Sequence, residues 1–177
     1  MNSGYLIAQI SDCHLPADPQ QDYRGINPHQ NLQALMPQVK AMKPDLILAT
    51  GDLSEDGSAE SYALLKTYLD PIGAPVLALP GNHDDPQLLN KVFPGSPVDT
   101  IAVSGHGDWR IVRMNSCLPG KPEGFVSAKA LSDLEQLLGS QQQKPTLLAI
   151  HHHPIPVGNP WIDKYPLVNP QKLLHLI

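Results

Sequence analysis

Only two cysteines, Cys13 and Cys117, occur in the 177 residues. That excludes a disulfide scaffold, and without a Cys-x-x-Cys pair it excludes a zinc ribbon. No apolar run reaches the roughly 18–20 residues that a bilayer span needs. The start, Met1-Asn2-Ser3-Gly4, lacks the basic residues of a secretory leader. Charge is scarce too, at 16% of residues against about 25% in a typical domain. The balance is −5 and no Lys/Arg cluster occurs, so long duplex nucleic acid is an unfavourable partner. These absences predict a cytoplasmic chain with neither membrane nor nucleic acid among its partners.

What is present is enough for a core. Hydrophobic residues make up 41%, and a chain of this length buries roughly 70% of its unfolded surface. The 19 prolines and 13 glycines stay below the roughly 25–30% at which low complexity becomes the default. They punctuate short apolar runs. Residues 5–10 (YLIAQI), 45–50 (DLILAT), 75–79 (PVLAL) and 146–150 (TLLAI) read as buried strands, with two more near residues 100–103 and 110–115. Between them, Leu32, Leu35, Met36, Val39 and Met42 recur at helical spacing, and Pro37 should kink or end that helix. Residues 58–69 form a second helical segment. Ser127 caps a third that Gly139 stops, and Asn169-Pro170 reads as the N-cap and first residue of a fourth. Strand alternates with helix, so the class is α/β around a parallel or mixed sheet.

The chemistry gathers where strands end, the usual place for ligands in α/β sheets. Four strands run into Asp12-x-His14, Gly51-Asp52, Gly81-Asn82-His83-Asp84 and His151-His152-His153, which together hold five of the eight histidines. Asp and His together suit a borderline cation such as Zn, Mn, Fe or Co. Asn82 can ligate only through its carbonyl oxygen. Two such cations can clamp the attacking and leaving oxygens of an in-line phosphoryl displacement. A sugar oxygen leaves poorly, and a histidine such as His83 is suited to protonate it. Elsewhere Cys13 reads as a packed thiol before an oxidation-sensitive one, Arg24 as a solvated arginine before a contact to substrate phosphate, and Tyr23, Trp161 and Tyr165 as packed rings before a stack on a base.

In that order, Asp12-x-His14, Gly51-Asp52-x4-Gly57, Gly81-Asn82-His83-Asp84 and His152-x-Pro154, the chain resembles the calcineurin-like metallophosphoesterase superfamily. Leu15, Leu53 and the run His151-His152-His153-Pro154 followed by Trp161 make it similar to the bacterial class III cyclic-nucleotide phosphodiesterases. The resemblance implies a four-layer α/β/β/α sandwich with mixed sheets and two divalent metal ions (Fe, Mn, Zn or Co). It implies hydrolysis of 3′,5′-cyclic AMP to 5′-AMP by a metal-bridging hydroxide. By the same resemblance Asp12 and His14 hold the first metal, Asp52 bridges, and Asn82 and His152 hold the second, with His151 a spectator. His83 is then the acid and faces the substrate with Asn82, while Asp84 holds the His83 ring. The family carries a further Gly-His-x-His, and none follows His153 here. That departure predicts that residues 1–177 form a single incomplete domain, with uncovered sheet edges that favour a homo-oligomer. It also keeps open a broader phosphodiesterase or phosphomonoesterase, and a catalytically silent interaction domain.

Overall fold

A computed structural model describes residues 4–140 and 144–177; the first three residues, where the leader was sought, and residues 141–143 lie outside the described part. Three parallel strands, β1 (Ile7–Ile10), β2 (Leu46–Thr50) and β3 (Val76–Leu79), form one sheet in that order. Ile10 lies opposite Ala49 and Thr50 opposite Leu79, so all three strands end on the same side. The second sheet is mixed. β4 (Ile101–His106) pairs antiparallel with β5 (Trp109–Met114), which pairs parallel with β6 (Thr146–Ile150).

Side-chain alternation explains why there are two sheets. Ile47 and Ala49 of β2 pack beneath α1 (Pro28–Met42), α2 (Ala59–Leu69) and α3 (Pro86–Val92). Leu46 and Leu48, turned the other way by the period of two, meet Ile111 and Ala149 of the second sheet. Val112 and Met114 of β5 in turn pack under α4 (Ala128–Leu138) and α5 (Pro170–Leu176). The layers are therefore helices, sheet, sheet, helices. A strand buried on both faces has the same run of apolar residues whether a helix or a second sheet covers it. The strand and helix pattern alone therefore read as one sheet.

Two local expectations change. α1 continues through Pro37, which is solvent-exposed, so water can bond the carbonyl that the missing N–H leaves free. Asn169 makes no capping bond to α5. Its Oδ1 accepts from Val126 N (3.0 Å) and its Nδ2 donates to Val126 O (2.8 Å), stapling two loops. Among the described residues no helix is long and apolar enough to cross a membrane.

Candidate metal centre

The ends of β1, β2, β3 and β6 meet at one point, and the backbone is bent to bring them there. Asp12, His14 and Asp52 all take positive φ (54°, 44° and 48°), a region that costs residues with a Cβ roughly 1–2 kcal/mol each. The bends are fixed by bonds from Asp12 N to Gly51 O (3.0 Å) and from His14 N to Asp52 O (2.9 Å). Gly51, at φ 92°, lies where a Cβ would overlap the His151 ring, and a Cβ on Gly81 would overlap Asp52. Gly81→Ala is therefore expected to displace the Asp52 carboxylate. Overpacking of that kind costs about 1–3 kcal/mol, and thermal melting should fall by roughly 3–10 °C together with metal content. Unchanged melting and metal content would show that the strand ends tolerate wider spacing.

The donor atoms of Asp12, His14 and Asp52 all lie within 4.8 Å of one another. Asp52 Oδ2 is 3.7 Å from His14 Nε2 and 3.6 Å from His151 Nε2. Each of these rings has its other nitrogen bonded to an oxygen, His14 Nδ1 to Glu55 Oε2 (2.8 Å) and His151 Nδ1 to Thr50 O (2.9 Å). Metal-binding histidines are normally held this way, so the residues fit a cation lodged between their Nε2 atoms and the carboxylates. Burial works against the charge of Asp52, but the bond and charge of His151 outweigh it and hold the carboxyl at about 2. Burial likewise opposes a charged His151, and Asp52 overcomes it, lifting the imidazole to about 9.

His152 does not reach this centre. It is 2% exposed, with Nδ1 on Ser116 Oγ (2.7 Å) and Nε2 on Pro122 O (3.2 Å). Burial, then the neighbouring His151, push it down to about 4, so it is a neutral ring that accepts from Ser116 and donates to Pro122. Consecutive side chains leaving a strand point opposite ways, and the rings of His151 and His152 lie at 89° to each other. The spacing to Pro154 singled out the wrong neighbour. His153 turns aside as well, its Nε2 3.3 Å from Asp163 Oδ1.

Asp84 is also placed elsewhere. Its buried carboxylate accepts from Leu53 N (3.2 Å), Ser54 N (3.0 Å), Gly81 N (2.8 Å) and Tyr62 Oη (3.0 Å). Burial raises its pKa against those backbone bonds. Asp84 ties the turn after β2 to the turn after β3, and the N-cap of α3 is Asp85. The ring of His83 belongs instead to Glu55, whose Oε2 lies 3.2 Å from His83 Nδ1 and 2.8 Å from His14 Nδ1. Sequence reasoning missed Glu55, and its only signal was its place three residues after Asp52, in the same turn. The backbone N–H of His83 donates to Asp52 Oδ1 (3.0 Å). Asn82 is half-buried beside it, and its side-chain amide bonds to no described residue. Asn82 and His83 line a cleft of about 750 Å³, and Asp12 and His14 line another of about 540 Å³. The Cys13 thiol is packed against the first core and pushed up to about 12, first by burial and then by Asp84 and Asp12.

Comparison with known proteins places the chain in a family and matches its fold. The family model described as calcineurin-like phosphoesterase matches residues 5–174. A 3′,5′-cyclic adenosine monophosphate phosphodiesterase, CpdA, of Pseudomonas aeruginosa is 34% identical, covering 99% of this chain and 65% of that protein. A 3′,5′-cyclic-nucleotide phosphodiesterase of Nostoc is 37% identical over 97% of this chain and 65% of its own. The chain thus spans about 65% of the length of these relatives. A solved dimetal phosphatase from Danio rerio has the same fold, with a TM-score of 0.74 at 16% identity, over 97% of this chain and 76% of the other.

Proposed function

The chain belongs to the calcineurin-like phosphoesterase family, and from that premise we propose that it hydrolyses 3′,5′-cyclic AMP to 5′-AMP with two divalent cations of the Fe, Mn, Zn or Co kind. The observation that carries this reading is the meeting of Asp12, His14, Asp52 and His151 at one point with His83 beside them. The names of the relatives support the substrate. Asp12, His14 and Asp52 would hold one cation, and Asp52, Asn82 and His151 the other. When bound, the pair supplies charge for the phosphate oxygens and water acidic enough to lose its proton near neutral pH.

The rest falls to the chain's own side chains. The main-chain carbonyl of Glu55 accepts from Nδ1–H of His83 (3.3 Å), with its carboxylate 3.2 Å away to favour the imidazolium, whose Nε2–H is left for the departing sugar oxygen. Asp52 fixes the backbone of the same histidine. Asn82, with its amide unspent, would donate to a phosphate oxygen or ligate through its carbonyl oxygen. Two unpaired cysteines fit a reducing compartment such as the cytoplasm. The reading includes a homo-oligomer, which would cover apolar side chains such as Val103 and Trp109, 46% and 53% exposed; light scattering tests that part. For the activity, cyclic AMP is assayed beside a chromogenic phosphomonoester. Preference for the diester supports the proposal, and preference for the monoester points to a phosphatase on the same scaffold.

The centre also sets a pH dependence. His151 is raised from 6.5 to about 9, so a cation entering at pH 7 must displace its proton. Metal affinity should rise about tenfold per pH unit until roughly pH 9 and then level. In metal-free protein the sign reverses. The His151–Asp52 pair contributes its full stability between about 3.8 and 6.5, and loses it as pH rises through 9 or falls through about 2. Chelator competition at pH 6, 7 and 8 checks the first statement, and a flat response would remove His151 from the ligand set.

A further inference from the structure

A row of stacked side chains leads away from the metal centre. Tyr23 N donates to Ile26 O (2.8 Å) and Ile26 N to Tyr23 O (3.0 Å), closing a two-residue hairpin with Arg24 at φ 52° and Gly25 at φ 80°. Two successive positive φ angles make a type I′ turn, where Asn-Gly is the usual choice. Arginine is strained there, and among the described residues Arg24 gains no ion pair in return. Its guanidinium carbon instead lies 5.1 Å from the centre of the Tyr23 ring and 5.0 Å from that of Trp161. Tyr23 is itself stacked on His14, with centroids 4.4 Å apart and planes at 16°. His14, Tyr23, Arg24 and Trp161 are therefore linked by successive contacts, and the first three border the 540 Å³ cleft.

The outer end is exposed yet braced. Trp161 is 52% exposed, but its backbone N–H donates to Asn159 Oδ1 (3.0 Å). The Asp163 carboxylate accepts from Val157 N (2.9 Å) and Gly158 N (3.1 Å) and faces His153. An indole left in water on a fastened loop is a preformed platform. Among the described residues, the cleft beside Asn82 and His83 has no aromatic ring besides His83 and carries the carboxylates of Asp56, Asp85 and Asp99.

We propose that Arg24 and Trp161 form the subsite for the nucleobase, which lies against their exposed surfaces at the rim of the cleft while its phosphate occupies the carboxylate–histidine centre. This rests on the cyclic-nucleotide reading above and names the part of the substrate that the centre itself does not touch. Every base has a π-face, so such a platform favours nucleotides over base-free sugar phosphates. The guanidinium adds donors for ring acceptors and a plane that lysine lacks.

The test uses the chain's two tryptophans. Trp109 opens β5 at the end of the second sheet away from the site, so Trp109→Phe leaves Trp161 as the sole indole. Titrating the metal-loaded protein with 5′-AMP should quench that indole, with affinity roughly tenfold or more above that for ribose 5-phosphate. By calorimetry, Arg24→Ala and Trp161→Ala should abolish the preference while leaving ribose 5-phosphate binding unchanged, and Arg24→Lys should lose most of it. Equal affinity for the two ligands, or equal weakening of both by Arg24→Ala, would mean that the stack only braces His14. Tight 5′-AMP binding without quenching would place the base elsewhere. Either result overturns the proposal, as does failure of 5′-AMP to bind. The hydrolytic reading is scored separately, by turnover of cyclic AMP in the unsubstituted chain. A chain that prefers 5′-AMP through Arg24 yet leaves cyclic AMP intact keeps the subsite and loses the activity.

Discussion

Asp52→Asn is expected to weaken metal binding by more than roughly 100-fold, beyond the 10- to 100-fold that loss of an outer partner costs. The reason is its position. Asp52 Oδ2 faces both His14 and His151, and its Oδ1 holds the backbone of His83, so one substitution disturbs both cation positions and the acid. The neighbouring histidines should separate cleanly. His151→Ala is expected to lose metal with a modest change in stability. His152→Ala should keep metal and lose about 2–4 kcal/mol, because Ser116 Oγ and Pro122 O are left buried without their partner. Metal analysis and thermal unfolding of the three variants check this, and metal loss confined to His152→Ala would restore that residue to the ligand set.

His83→Ala should lower turnover of cyclic AMP by roughly 10²- to 10⁴-fold with metal content intact, the usual contribution of a positioned acid. A diester with a good leaving group needs no proton, so its loss should be far smaller. Equal losses on both substrates would make His83 a phosphate-binding group instead. Glu55→Gln tests the support beneath it. One carboxylate oxygen serves both His83 and His14, so this variant should lower metal affinity by roughly 10- to 100-fold as well as turnover. A variant that lost turnover alone would show that Glu55 acts only on His83.

Much of this centre could be read from the chain because short apolar strands end abruptly in Asp, Asn and His. Asp12, His14 and Asp52 meet where the strand ends put them. What could not be read is which way neighbouring side chains point once a strand has ended. His151 and His152 differ by one residue, and strand alternation sends the first to Asp52 and the second to Ser116. Asp84 follows His83 directly, so proximity in sequence assigned it to that ring. In the folded chain its carboxylate is spent on the backbone of two turns. Glu55 lay hidden, and Arg24 was set down as solvated, for the opposite reason. Charged loop residues are solvated by default, and only the fold brings Glu55 to two imidazoles and Trp161 to Arg24. The division into two sheets was likewise invisible to periodicity, since Leu46 and Ile47 are equally apolar whichever layer covers them.

The most direct test of the central claim is the product formed from 3′,5′-cyclic AMP by chelator-stripped protein as divalent metal is returned stepwise. The account predicts 5′-AMP as the sole product, none before metal is added, and a rate that levels at two equivalents per chain. Turnover that survives chelation, a rate complete at one equivalent, or cyclic AMP left untouched by fully loaded protein would contradict it.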